Sequence, residues 1–169
     1  LVQDMASHQT LRRVALALLL QAVNFPLVRL WYAARLRRLV ARAAPGQAYL
    51  HLGCGRRPFP GWINVDVVPY SPGPDVLLDL RRPLPLPNNS LDLIYSEDFI
   101  EHLELTAGRR LLHECYRVLR PGGTMRLLTP NLRPFAADYV ARSPALFEWY
   151  NARHGTASFA EILNHGLRS

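Results

Sequence analysis

The chain has 169 residues, 49% of them hydrophobic and 20% charged, a composition typical of a globular protein and long enough for one domain with a proper core. Its basic residues are all arginine, and the formal net charge is +7. Residues 1–45 hold seven arginines against one acid, and residues 46–169 hold thirteen against twelve; the excess is N-terminal, which speaks against a nucleic-acid enzyme with basic residues spread around its cleft.

The first element expected is helical. Residues 11–22, "LRRVALALLLQA", are strong helix formers, apolar on nearly every side. "NFP" breaks the pattern at Pro26, which cannot continue the hydrogen-bond ladder. Residues 27–43 resume it, with Leu27, Leu30, Trp31 and Ala34 on one stripe and Val28, Tyr32, Leu36, Leu39 and Val40 widening it. Two readings stand open for residues 11–43: a helical cap packed on the domain behind it, or a basic amphipathic segment in peripheral contact with an anionic membrane. A transmembrane span is disfavoured, because the apolar stretch 14–28 carries Gln21, Asn24 and Pro26 and falls short of the ~20 residues a span needs. It lacks the cleavage site of a signal peptide.

"AAPGQ" (43–47) is a turn and the expected boundary between a basic helical segment, 1–45, and the domain that follows, 46–169. Five short strands are expected in that domain: "AYLHL" (48–52), "WINVDV" (62–67), "DVLLDL" (75–80), "LDLIYS" (91–96) and "TMRLLT" (124–129). Residues 97–120 are expected to be helical, with a break near Thr106–Gly108, Thr106 capping the second helix and "RPGG" (120–123) stopping it. The order implies an α/β fold built on a mostly parallel, Rossmann-like sheet. Helical patterns continue in "PFAADYVAR", "PALFEWYNAR" and "SFAEILNHG". Cys54 and Cys115 form no disulfide framework, so reduced thiols in a cytoplasmic protein are the expectation.

The chemistry gathers at strand ends, where open parallel sheets bind their ligands. Gly53 and Gly55 make a turn whose backbone can approach a ligand. Asp66 ends the second strand, where a carboxylate can accept from ribose hydroxyls or simply form a turn. Asp79 ends the third, where an acid can accept from an adenine amino group or cap the turn that follows. Only ten residues separate Gly55 from Asp66, so the usual first crossover helix is missing or reduced to a turn. Without a full helix N-terminus the loop suits a ligand that carries no pyrophosphate, which argues against a nicotinamide dinucleotide.

"LHLGCG", "NVD", "DLRRPLPLPNNSLDLIYSEDFIEHL" and "ECYRVLRPGGTMRLLTP" resemble the class I S-adenosylmethionine-dependent methyltransferases over residues 48–131, most closely a bacterial subgroup with a shortened first crossover. The resemblance implies that Gly53, Cys54 and Gly55 approach the methionine part of the cofactor. It implies that Asp66 holds the ribose with Val67 against the adenine, that Asp79 and Leu80 hold the adenine edge, and that Ser96 and Glu97 border the methionine end and the acceptor pocket. The family places an acid where His51 stands and a third glycine where "RRP" follows Gly55. It also adds a helix and an antiparallel strand pair after the fifth strand. Residues 132–169 show no such pair, so a piece of a longer chain is expected, the alternative being an unusually small sheet.

Methyl transfer chiefly requires alignment of the acceptor with the methyl carbon, with a general base for some acceptors. His102, titrating near neutrality, and Glu97 are the catalytic candidates, with Glu101 as an alternative and Tyr95, Trp149, His154 and His165 near the acceptor. His102 packing or capping within its helix is the competing reading. No metal-ligand spacing is present. The expected partner is a small-molecule or glycan-pathway methyl acceptor; a nucleic-acid partner is not expected. The rival is a non-catalytic, degenerate methyltransferase-fold binding module.

Overall fold

The structure is a computed structural model that describes residues 14–142 and residues 144, 147, 148, 151 and 152. Helix α1 (Val14–Asn24) and helix α2 (Pro26–Arg42) meet at a bend of 73°. Pro26 at the first position of α2 causes the break, since it has no N–H to offer the preceding turn. Strands β1 (Tyr49–Leu52), β2 (Ile63–Asp66), β3 (Val76–Leu77), β4 (Leu91–Glu97) and β5 (Leu119–Leu128) form one sheet in the order β3-β2-β1-β4-β5. All four pairings are parallel. Helix α3 (Leu105–Val118) links β4 to β5, and helix α4 (Leu132–Ala141) follows. The sheet is Rossmann-like, and its strand order reverses between β1 and β4.

Period-two alternation sorts the strand residues. Leu50, Leu52, Val65, Val76 and Ile94 are buried in one apolar cluster. Leu36 of α2 and Leu111, Cys115 and Val118 of α3 join the same cluster. Leu36 is fully buried, so truncating it to alanine is expected to cost about 2–5 kcal/mol. Thus α2 packs on the domain through Ala33 and Leu36, with Tyr32, Leu39 and Val40 partly buried beside them. Leu27, Leu30 and Trp31 remain exposed.

Several boundaries differ from the sequence reading. The third strand stops at Leu77 rather than Leu80. The Asp79 carboxylate and carbonyl accept from the amides of Arg81 and Arg82, which turns the chain out of the ladder. The first helical piece after β4 is a single 3₁₀ turn, Ile100–His102, and the break falls at Leu103–Glu104. Helix α3 begins at Leu105 with Glu104 at the N-cap, so Thr106 lies inside the first turn and is no cap. Helix α3 ends at Val118, and β5 already begins at Leu119. "RPGG" therefore lies within the strand, where the β4–β5 register shifts between Leu91 and Leu93.

No α-helix separates β1 from β2. The face that such a helix would cover carries an aromatic cluster instead. His51 stacks on Phe59 with ring centroids 4.2 Å apart and meets Tyr95 edge-on at 5.3 Å. Trp62 packs against Phe59 and Tyr49. Register explains the contacts, because His51 lies opposite Asn64 on one side and Tyr95 on the other.

Candidate functional site

In a parallel sheet the ligand crevice opens at the carboxyl ends of the strands where the order reverses. Here that point lies between β1 and β4. The residues just beyond those strands are Gly53 and Cys54 on one side and Asp98 on the other, with Ser96 and Glu97 closing β4. A cleft of about 360 Å³ occurs there, lined by His51, Gly53, Cys54, Gly55, Glu97 and Asp98, with Arg56, Arg57, Phe59 and Tyr70 around its rim.

The glycine turn is fastened to β2. The amides of Gly53 and Cys54 both donate to the Val65 carbonyl, at 2.9 and 3.2 Å. Gly53 and Gly55 have φ of 65° and 53°, the left-handed region that glycine enters without steric cost. A Cβ on Gly53 would lie 2.5 Å from the Phe99 ring, whereas one on Gly55 would meet nothing within 4 Å. The first glycine thus makes room for Phe99, and the second leaves open space.

Asp66 joins the two walls. Its Oδ2 accepts from the Gly55 amide at 2.9 Å, and its Oδ1 accepts from the Val67 and Val68 amides at 2.7 and 2.9 Å. It is both a turn former and the anchor of the glycine loop. A carboxylate offers about four acceptor positions, so one remains free on the half-buried Oδ2.

Asp79 is placed elsewhere. Its carboxylate accepts from Arg81 Nε and Nη2 at 2.8 Å each and from Asn24 Nδ2 at 2.9 Å. Burial alone would raise its pKa, but the bonds from Arg81 and Asn24 prevail and hold it down to about 2. It lines a small recess with Val23, Asn24 and Arg29, apart from the residues of the glycine cleft. Leu80 is buried in the core, and Val67 is half-buried beside Asp66.

Ser96 is fully buried, and neither its Oγ nor the two Glu101 carboxylate oxygens has a hydrogen-bond partner among the described residues. Buried polar atoms are normally satisfied, so orphans call for a ligand or solvent partner. Glu97 Oε2 accepts from the Tyr95 hydroxyl at 2.7 Å, and that bond, followed by burial, pushes the tyrosine pKa up. His102 is exposed at the end of the 3₁₀ turn and is not among the residues lining the cleft. Burial pushes the Cys54 and Cys115 thiols up to about 12, which makes poor nucleophiles of both. Trp149, His154 and His165 lie outside the described residues.

His51 is buried, its Nδ1 3.2 Å from Asn64 Oδ1. Desolvation lowers its pKa, outweighing the bond to Asn64 and the nearby Glu97 and Asp66, so the imidazole is neutral at pH 7. Asn64 in turn receives the Phe59 amide and donates to Asp75 Oδ2, the Phe59 carbonyl and the Trp62 carbonyl. Sequence reasoning missed Phe59 and Tyr70, which lie in loops with no periodicity to reveal them, and Asn64, which lies within the expected second strand but whose partners come from the loops around it. Arg56 and Arg57 were noted only as replacements for a glycine; both are exposed at the rim, and Arg56 lies over the Tyr70 ring at 5.1 Å.

A family described as a methyltransferase domain matches residues 65–127. That match takes in the end of β2, strands β3 and β4, helix α3 and nearly all of β5. A probable S-adenosylmethionine-dependent methyltransferase of Mycolicibacterium smegmatis is 36% identical over 80 residues, 47% of this chain and 29% of that protein. A phosphoethanolamine N-methyltransferase of Plasmodium falciparum is 49% identical over 39 residues, 23% of this chain and 15% of that protein. The chain thus spans less than a third of the length of these curated relatives. A solved Methanococcus maripaludis protein, titled a putative S-adenosyl-L-methionine-dependent methyltransferase, aligns over 86% of this chain and 78% of its own with 16% identity and a TM-score of 0.37.

The methyl donor that the matched methyltransferase domain family implies is S-adenosylmethionine. Two groups directly behind the cleft wall suit it: the free acceptor position on Asp66, which holds the cleft residue Gly55, and the uncommitted Ser96 hydroxyl, next to the cleft residue Glu97. The open space at Gly55 lets the backbone come close. Among the described residues, no group of three or more histidine, cysteine or acidic side chains is arranged to hold a metal ion.

Proposed function

We propose that the chain binds S-adenosylmethionine in the glycine cleft and transfers its methyl group to a small-molecule acceptor, a glycan-pathway intermediate being the class we favour. The observation that supports this best is the link from Gly55 to Asp66. One carboxylate holds the loop in shape and keeps an acceptor position for a ribose hydroxyl. When bound, the cofactor supplies an electrophilic methyl on a sulfonium. Asp66 and the Gly53–Gly55 backbone hold and orient it, and Ser96 offers a hydroxyl near its methionine end. Glu97, steadied by Tyr95, serves as the base or orienting group for the acceptor; His102 is the second candidate and reaches the acceptor only from the outer side of the 3₁₀ turn. The near-neutral charge of residues 46–169 favours a small acceptor over nucleic acid. The two free, buried cysteines suit the cytoplasm.

A second reading, a degenerate domain that binds without catalysis, is favoured by His51, a neutral imidazole where the family carries an acid. Calorimetry on the full chain separates the two readings. Micromolar binding of S-adenosylmethionine that weakens in Asp66→Ala supports the enzyme. No heat with either the cofactor or its demethylated product overturns it.

A further inference from the structure

We infer that helices α1 and α2 form a peripheral docking surface for an anionic lipid bilayer. Helix α1 presents Val14, Leu16 and Leu18 to solvent, Phe25 protrudes at the bend, and α2 continues with Leu27, Leu30 and Trp31. Leu27 is 70% exposed, Leu30 60% and Trp31 58%. On α2, Leu30 and Trp31 are adjacent and Leu27 is one turn before them, an apolar patch of the kind that marks an interaction site rather than ordinary scatter.

The geometry of α2 separates this surface from the core. At 100° per residue, Leu27, Leu30, Trp31 and Ala34 centre on the side opposite the fully buried Leu36, with buried Ala33 between the two sides. The helix therefore has two apolar faces, one used by the fold and one left to solvent.

Charge selects the occupant. Along the outward face the apolar residues give way, past Ala34, to Arg37, Arg38 and Arg42, all exposed. No acid occurs between Asp4 and Asp66, a stretch that contains nine arginines. An apolar stretch with a tryptophan, followed on the same face by three arginines, suits the boundary between headgroups and acyl chains of an anionic surface. A second copy of the chain would bring arginines against arginines.

The helix lengths make the contact lie in the plane of the membrane. Among the described residues no single helix is long and apolar enough to cross a membrane, and the pair that passes by length and composition is bent by 73°. Helix α1 is about 16 Å long, roughly half the hydrocarbon thickness.

The test is co-sedimentation of the full chain with vesicles of phosphatidylcholine alone or with about 30% phosphatidylglycerol. Binding to the anionic vesicles is expected, falling with salt and weak on the neutral ones. Leu30→Ser with Trp31→Ser should weaken it by roughly tenfold, and Arg37→Gln with Arg38→Gln by several-fold. Tyr116→Ser, on exposed surface of α3, should leave it unchanged, with circular dichroism confirming that each variant is folded. Trp31→Phe should retain binding but lose quenching of tryptophan fluorescence by brominated lipid. Equal binding by the Leu30/Trp31 double variant, equal binding to neutral vesicles, or a dimer in sedimentation that this variant dissociates would each overturn the proposal.

Discussion

Asp66 and Asp79 lie at the carboxyl edge of neighbouring strands, thirteen positions apart in the sequence, and both have the chemistry to hold a nucleoside. Asp66 spends its carboxylate on three backbone amides, is half-buried and keeps an acceptor position free beside a cleft. Asp79 is buried, and its carboxylate is clamped by Arg81 and by Asn24 from α1. The difference lies in what folds over each residue. A glycine turn leaves Asp66 open, whereas the end of α1 closes over Asp79. An acid at a strand end is thus a position, and the element laid across it decides whether its carboxylate keeps an open acceptor or is closed off by the fold.

The largest effect that sharpens this comparison is on stability. Asp79→Ala should destabilise the fold by about 2–3 kcal/mol, below the usual cost of breaking a buried ion pair because Arg81 is half-exposed. Chemical denaturation measures it. The same residue sets an acid limb. Its pKa falls from 3.8 in an unstructured chain to about 2 in the fold, so its contribution is complete above about pH 4 and disappears as the pH falls toward 2. That limb should be missing in Asp79→Asn. A wild-type stability flat across this window, relative to the variant, would break the account of the clamp.

Asp66→Ala comes next, with cofactor affinity reduced by about tenfold, or ~1.4 kcal/mol, read by calorimetry. Asp79→Asn should change that affinity far less. Asn24→Ala removes one hydrogen bond to a charged acceptor and should cost about 1.5 kcal/mol, with faster amide exchange in α1. Equal stability in this variant would mean that α1 does not hold Asp79.

The smallest effect belongs to His51. Its folded pKa lies below the ordinary 6.5 because burial disfavours the charged ring. Below pH 6.5 the unfolded chain therefore binds more protons than the native one, and stability falls as the pH drops. A denaturation midpoint that rises on acidification from pH 7 to about 5.5 would contradict the buried, neutral imidazole.

The strands and the glycine turn were legible because apolar runs, glycines and terminal acids are local signals. Each of the five expected strands appears, though β3 is cut short by the capture of backbone groups at Asp79. What could not be read depends on distant partners. Asn24 reaches Asp79 across 55 positions of sequence, and no periodicity predicts that meeting. The pattern of α2 centres one broad apolar stripe on Leu27, Leu30, Trp31 and Ala34, but the sheet takes the Leu36 side and leaves Leu27, Leu30 and Trp31 exposed, a choice that only the packing partner decides. His51 looked like a departure from the family at a binding position. In the fold it also belongs to the cluster with Phe59 and Tyr95 that covers the sheet where the first crossover helix is missing. A carboxylate would be poorly placed against the Phe59 ring there, so the shortened crossover and the histidine suit each other.

The most direct test of the Asp66 side of the comparison is an amide NMR titration of the full chain with S-adenosylhomocysteine. The account predicts the largest shifts at Gly53, Gly55 and Ser96, with Asn24 and Arg81 little changed. No shifts at the glycine turn, or the largest ones at Asn24 and Arg81, would contradict it.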